Sequence, residues 1–413
     1  MHADTLAIDF GTSNSAAAIL SGTGVHRIPI EGGADTLPTA VFFPSGGGEM
    51  LIGAAATQAL IDGEDGRYMR ALKSVLGLPL THETRLISGR SRTIGGIITD
   101  FLTALRERSE AATGQRYRKA LSGRPVHFHT ADKNKDRQAE DDLRACYLGA
   151  GFDEVSFLAE PEAAALACHG LGGRTEVGLI VDIGGGTSDF SVFRSRGVKP
   201  AILGSHGIRL GGTDFDHAIS IAHAMPPLGI GGQLRSAMGA ALLPVPRRPY
   251  VDLATWSQIP FLYTAETRRM VAQMIRFAVE PEKVSRYGTV IEHELGHELA
   301  FAVERTKISV NASGRADAIG MGFIEAGLSQ TVSPENLAAT LASNRILLRE
   351  AAMKTLQIAD IDPNEVERVI LVGGSSLMTF VSDEMSELCS SAEILRSEAF
   401  TAVIDGLAMA TSR

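Results

Sequence analysis

The chain is 413 residues long, carries 39 Lys and Arg against 48 Asp and Glu for a net charge of −9, and is 44% hydrophobic and 21% charged. This is the balance of an ordinary soluble globular protein of two or more domains, and it excludes intrinsic disorder. An acidic chain without a basic block also lacks the clustered cations that nonspecific nucleic-acid binding needs.

Cys146, Cys168 and Cys389 lie far apart with no C-x-x-C pair, so neither a disulfide framework nor a cysteine zinc ribbon is expected, and a reducing compartment fits. The first residues have no basic run, and nowhere do eighteen uncharged apolar residues follow one another. Neither a secretory leader nor a membrane span is expected, which places the chain in the cytoplasm. Glycine supplies 44 residues, about 11% against an average near 7%, and 18 of them fall in eight short runs.

The first predicted element is a β-hairpin. The apolar strand Leu6-Ala7-Ile8-Asp9-Phe10 runs into Gly11-Thr12-Ser13-Asn14 and out along Ser15-Ala16-Ala17-Ala18-Ile19-Leu20. Lys73, in Arg70-Ala71-Leu72-Lys73-Ser74-Val75-Leu76-Gly77, reads by type as a solvated helix lysine. In Arg124-Pro125-Val126-His127-Phe128-His129 two histidines alternate along a predicted strand, where they face one metal or lie on a buried, satisfied face. Glu160-Pro161 puts a carboxylate and a proline at the start of an Ala-rich helix that Gly170 ends, with side chains small enough for close packing.

Next, Leu179-Ile180-Val181-Asp182-Ile183-Gly184-Gly185-Gly186-Thr187-Ser188-Asp189-Phe190-Ser191-Val192-Phe193 repeats the first hairpin. Each is a strand ending in Asp, an apolar residue, one or three glycines, Thr-Ser and a second strand. The distance from Asp9 to Asp182 is too long for a solenoid repeat and predicts two similar domains facing each other. Glycine turns let successive N–H groups form an anion nest, hydroxyls add donors, and Asp offers oxygen to a hydrated divalent cation. The plain alternative is a pair of tight hairpins in which Gly and Ser serve geometry.

Beyond a Pro-rich stretch at 226–260, Glu292-His293-Glu294-Leu295-Gly296-His297-Glu298-Leu299 contains H-E-x-x-H. On a helix that pattern sets two imidazoles on one face for zinc, with Glu294 as general base. No third histidine follows at the metzincin spacing and Gly296 weakens the helix; the plain reading is an amphipathic helix with exposed histidines. Glu304 and Lys307 are an i,i+3 surface pair by type alone. Arg368-Val369-Ile370-Leu371-Val372 opens onto Gly373-Gly374-Ser375-Ser376, which suits close backbone approach to a base or ribose. No Gly-Lys dipeptide and no G-x-S-x-G occur, so a P-loop and a serine-hydrolase elbow are excluded.

Taken in order, these motifs resemble the ATPase domain of the seventy-kilodalton heat-shock (DnaK-type) chaperones, in the actin and sugar-kinase superfamily. They are joined by Phe157-Leu158-Ala159-Glu160-Pro161-Glu162-Ala163-Ala164, Leu210-Gly211-Gly212-Thr213-Asp214-Phe215-Asp216 and Asp405-Gly406-Leu407-Ala408, and the chain looks most like the short, YegD-like members. The resemblance implies an α/β, actin-like ATPase fold of two lobes, duplicated ribonuclease-H-like domains around a nucleotide cleft. Lobe I is expected over 1–173 with an inserted subdomain near 38–96, and lobe II over 174–413 with one near 223–312. No C-terminal substrate-binding domain is expected.

It also implies ATP/ADP and Mg²⁺ as cofactors. Asp9 and Asp182 match the carboxylates that hold Mg²⁺ through water, and Gly11, Thr12, Ser13, Gly184, Gly185 and Gly186 match the phosphate cradle. Lys73 and Thr187 match the residues beside the γ-phosphate, and Glu160 the glutamate that orients the attacking water. Gly211 and Gly212 fall in a further nucleotide motif, Gly373, Gly374 and Ser375 match the adenosine motif, and Glu304 and Lys307 match the clamp on its sugar. Two positions depart from the pattern. Leu377 stands where the family has an adenine-stacking Arg, and Ser156 where it has an Arg for a J-domain partner.

The function expected is a Mg-ATP-binding, slowly hydrolysing, chaperone-like ATPase that couples nucleotide state to a protein client or cochaperone, with no nucleic acid or membrane partner. A small-molecule kinase, an actin-like filament ATPase, a degenerate nucleotide-binding scaffold and a zinc peptidase are the alternatives.

Overall fold

The computed structural model describes residues 4–22, 24–129, 132–168, 176–195, 200–236, 239–396 and 401–412. Its backbone forms two compact units, residues 1–212 with 345–413, and residues 213–344. The expected boundary at 173/174, and Gly170 as the end of the Ala-rich helix, lie outside the described residues.

Runs of apolar residues bounded by glycine turns become the strands of two sheets in the first unit. One contains β1 (Thr5–Phe10), β2 (Asn14–Ser21), β3 (Gly24–Arg27), β4 (Lys119–Arg124) and β5 (Glu154–Ala159), in the order β5-β4-β1-β2-β3. The other contains β6 (Glu176–Ile183), β7 (Ser188–Ser195), β8 (Pro200–Ile208), β9 (Arg368–Val372) and β10 (Glu393–Arg396), in the order β8-β7-β6-β9-β10. In both, three strands form an antiparallel meander and two parallel strands extend its first member. The helices repeat too. In the first, α1 (Ile94–Thr113) precedes β4, α2 (Lys133–Gly149) joins β4 to β5, and α3 (Glu160–Cys168) follows β5. In the second, α4 (Ala342–Ala359), α5 (Thr379–Leu388) and α6 (Ala402–Ala410) take those places around β9 and β10. This duplicated α/β architecture is the actin-like ATPase fold.

The crossovers require buried helices, and α3 and α6 satisfy this with small side chains. Ala163, Ala164, Ala165, Ala402 and Ala408 lie in one core with Ala7, Ala16 and Ile180. The helices meet so closely that a Cβ on Gly406 would overlap the backbone of Ala163. Arg27 of β3 holds Asp405 of α6 through Nε at 2.8 Å and a second nitrogen at 2.7 Å, a fork that fixes this helix against the first sheet. Residues 38–96 add a three-stranded sheet (Leu51–Ile52, Ala40–Pro44, Gly66–Arg70) and the hairpin Arg85–Ile87 with Arg90–Arg92.

The second unit is wider than the insertion expected at 223–312. It is mainly helical, with Ala265–Phe277, Pro281–Glu292 and Gly296–Ser313, and two small two-stranded sheets. Tyr250 and Tyr287 stack in its core with ring centres 4.5 Å apart. No helix among the described residues is long and apolar enough to cross a membrane.

Candidate phosphate-binding site

The two sequence-related hairpins have loops of equal length, which the count of glycines conceals. Phe10 pairs with Ser15 across β1 and β2, and Ile183 with Ser188 across β6 and β7, so four residues turn each corner. Position by position, Gly11 corresponds to Gly184, and Thr12-Ser13 takes the place of Gly185-Gly186. The Thr-Ser pairs that look equivalent in sequence are displaced by two residues. As a result Ala16 stands opposite Asp9, whereas Asp189 stands opposite Asp182.

The two tips touch. A Cβ on Gly185 would collide with the Ser13 hydroxyl and lie 3.1 Å from Thr12 Cβ, and one on Gly186 would lie 3.2 Å from Thr12 Oγ1. The side chains of the first tip thus fill the space over the bare backbone of the second. The other glycine runs close in on the same backbone. The Gly212 N–H donates to the Gly184 carbonyl at 3.0 Å, and a Cβ on Gly211 would lie 2.5 Å from the Gly186 nitrogen. Gly373, at φ 80°, packs against Ile183 and Asp182, where a Cβ would stand 2.7 Å from Asp182 Oδ1. A Cβ on Gly212 would overlap Ser375 Oγ, which places Gly374 and Ser375 beside this wall.

Beneath the tips lies a cluster of carboxylates around one amine. Lys73 Nζ is 2.7 Å from Glu160 Oε1, and both side chains are buried. Lys73 sits in a tight turn, Leu72–Val75, entered through the left-handed Ala71, rather than on the solvated helix expected. Glu160 begins α3. Asp182 and Asp189 are buried, and Asp189 accepts the Val126 N–H at 2.6 Å.

Burial pushes the Asp9 carboxyl up to about 7, with Glu160 adding to the shift and Lys73 opposing it. Asp182 is raised well above the carboxylate range by burial, then by Glu160, Asp189 and Asp9. Asp189 is raised by burial and by Glu160, against the Val126 hydrogen bond. For Lys73, burial works against the charge, but Glu160, Asp9 and Asp189 outweigh it and the amine is held charged. A group of four acids with one compensating amine is short of positive charge, which a divalent cation supplies. Thr12, Lys73, Gly186, Thr187, His129 and Arg209 line a small pocket above the amine.

Other expected residues lie elsewhere. Glu304 and Lys307 belong to the second unit, where Lys307 Nζ is 2.7 Å from Asp216 Oδ1 with both side chains buried, so Lys307 is not on a solvated face. The H-E-x-x-H segment is not one helix. One helix ends at Glu292, Glu294 has φ 56°, and the next helix begins at Gly296. The two imidazoles therefore share no helix face; His293 is exposed, and His297 is buried beside Trp256 rather than exposed as expected. Among the described residues no three His, Cys, Asp or Glu side chains form a direct metal-ligand group. His127 and His129 follow the end of β4 rather than alternating along it: His127 Nδ1 is 3.3 Å from Asp136, and His129 Nε2 is 2.7 Å from the Leu76 carbonyl.

Motif reading gives Asp189 and Arg209 no role, and it takes His129 for a strand histidine rather than a pocket residue. Asp189 carried a signal in its place two residues after Thr187 within the repeated pattern. His129 and Arg209 join the pocket only through contacts distant in sequence.

A family model described as Hsp70 protein matches residues 86–225. The chaperone protein DnaK of Thermosipho melanesiensis is 27% identical over 385 residues, which cover 92% of this chain and 54% of that protein. DnaK of Thermosipho africanus shows the same identity and coverage. DnaK of Endomicrobium trichonymphae is 32% identical over 225 residues, 52% of this chain and 34% of that protein. The chain spans about half the length of the first two relatives.

Proposed function

We propose that the chain is an Hsp70-type ATPase domain that binds Mg-ATP, hydrolyses it slowly and couples nucleotide state to a protein client or cochaperone. The observation that carries this reading is the meeting of two glycine-bearing hairpin tips above a cluster of four carboxylates and one lysine, all buried but the half-buried Asp9. The tip amides of Gly11 to Ser13 and of Gly185 and Gly186 donate to phosphate oxygens, Gly184 closing its own turn through the Thr187 carbonyl at 3.0 Å, and the Thr187 hydroxyl serves the terminal phosphate. Asp9 and Asp182, raised by burial, are the residues that would hold Mg²⁺ through its water shell. When bound, Mg²⁺ neutralises phosphate oxygens and lets those carboxyls ionise.

Phosphoryl transfer is chiefly a matter of positioning and charge. Lys73, kept protonated by Glu160, presents a fixed cation, and Glu160 orients the attacking water with its carboxylate. Gly373, Gly374 and Ser375 border Asp182 and Gly212 and serve the adenosine. Leu377 offers no cation to stack on the base, so adenine contributes less to affinity than the phosphates.

The test is Mg-ATP binding and phosphate release for the wild type beside Asp182→Asn and Lys73→Ala. Expected are measurable binding and slow turnover, both depressed in the variants. A wild type that neither binds ATP nor changes on substitution would overturn the reading; transfer of phosphate to a sugar panel would replace it with a kinase.

A further inference from the structure

We propose that Arg209 is the residue through which this site distinguishes a nucleoside triphosphate from a diphosphate. The inference rests on the nucleotide reading above and names a specificity determinant within it. Arg209 directly follows β8, and its side chain lines the same pocket as Thr12, Lys73, Gly186 and Thr187. One of its terminal nitrogens donates to the carbonyl of Ser74, next to Lys73, at 2.7 Å. The other lies 3.4 Å from His129 Nδ1.

The chemistry of these partners orders the contacts. A carbonyl only accepts, so His129 Nε2, 2.7 Å from the Leu76 oxygen, carries the proton. Its Nδ1 is then the lone-pair nitrogen, and it accepts from Arg209, which can only donate. His129 and the Ser74 carbonyl thus hold the guanidinium at the pocket.

Charge at the pocket makes the position matter. Lys73 is matched one to one by Glu160 at 2.7 Å. An anion entering between Thr12 and Thr187 meets a cation already neutralised above a floor of carboxylates, and Arg209 is the other permanently charged base on the lining. A guanidinium binds phosphate through a fork of parallel N–H donors, geometry an ammonium lacks. A diphosphate, held at the tip amides, leaves this pocket unfilled and draws nothing from Arg209. Only a terminal phosphate reaches it, at a guanidinium that the Ser74 carbonyl already ties to the Lys73 turn.

Isothermal titration of the full-length chain with Mg-ADP and with Mg-ATPγS, for wild type, Arg209→Ala, Arg209→Lys and Arg209→Gln, tests this. Arg209→Ala should weaken ATPγS by about ten- to a hundredfold and leave ADP within about twofold, the scale of hydrogen bonds to a charged group. Lysine should restore part of the preference. Glutamine, which can still donate to the Ser74 carbonyl but has no charge, should restore none. Equal weakening of both nucleotides would show a structural role only, and full preference in Arg209→Ala or in Arg209→Gln would also overturn the proposal. A wild type that binds neither nucleotide would instead bring down the nucleotide reading itself. Melting temperatures of all four proteins separate misfolding from lost recognition.

Discussion

The β1–β2 and β6–β7 hairpins turn their corners with the same four residues, yet one tip carries Thr12 and Ser13 where the other carries Gly185 and Gly186. Two identical tips could not meet: two pairs of side chains would clash, and two bare backbones would leave a gap. Unequal composition is what allows two copies of one motif to close on each other. The same inequality extends below the tips. Asp9 faces Ala16, but Asp182 faces Asp189, so the second hairpin concentrates negative charge and the first completes its shape.

If that division holds, removing the two carboxylates should not be equivalent. Asp182→Asn should lower Mg-dependent ATP turnover by about a hundredfold or more, and Asp9→Asn by about tenfold, since metal-dependent charge stabilisation is a several kcal/mol effect. Equal losses in steady-state phosphate release would mean the hairpins share the cation evenly.

Metal-free stability should depend on pH with a definite sign. Asp9 titrates near 7 in the folded chain against an ordinary value of 3.8. The folded state therefore holds the proton more tightly, so the stability this provides is present below about pH 4 and is lost as pH rises to about 7. Thermal unfolding in EDTA should show a falling melting temperature over that window. Mg²⁺ should flatten the fall, and Asp9→Asn should remove the part that Asp9 contributes while Asp182 and Asp189 keep theirs; a flat metal-free profile would refute the desolvated cluster.

Asp189→Ala makes the second hairpin resemble the first. It leaves the Val126 N–H without its acceptor, at a cost of about 1–3 kcal/mol. A denaturant midpoint unchanged from wild type would show that the opposed carboxylate is not part of the frame. At the tip itself, Gly185→Ala should cost about 1–3 kcal/mol through its collision with Ser13, relieved in part by Ser13→Gly. Gly184→Ala should be the mildest, within about 0.5 kcal/mol, because its nearest neighbour would be 3.7 Å away.

Much of this was legible because it is local. Strand-glycine-strand patterns, the proline after Glu160 and the run ending at Val372 are written in neighbouring residues, and they carried the resemblance that implied the fold class and marked Asp9, Asp182 and the glycine runs. Lys73 was harder. Nothing near it in sequence shows that its amine leaves water, since its partner Glu160 is 87 residues away. The H-E-x-x-H pattern misled in the opposite direction: the spacing is right, but the backbone breaks at Glu294 and the shared face never forms.

By itself, then, the sequence determined that two related hairpins and a third glycine-ended strand exist, and which chain carries them, because apolar periodicity and glycine placement act over a few residues. Only the tertiary structure decided that the glycine surplus is lopsided for a reason. Strand register equalised the loops, brought Asp189 opposite Asp182 and laid Gly185 under Ser13. The same long-range closure carried Arg209 to the Lys73 turn. Such contacts depend on how far-apart segments pack, and no window of sequence contains them.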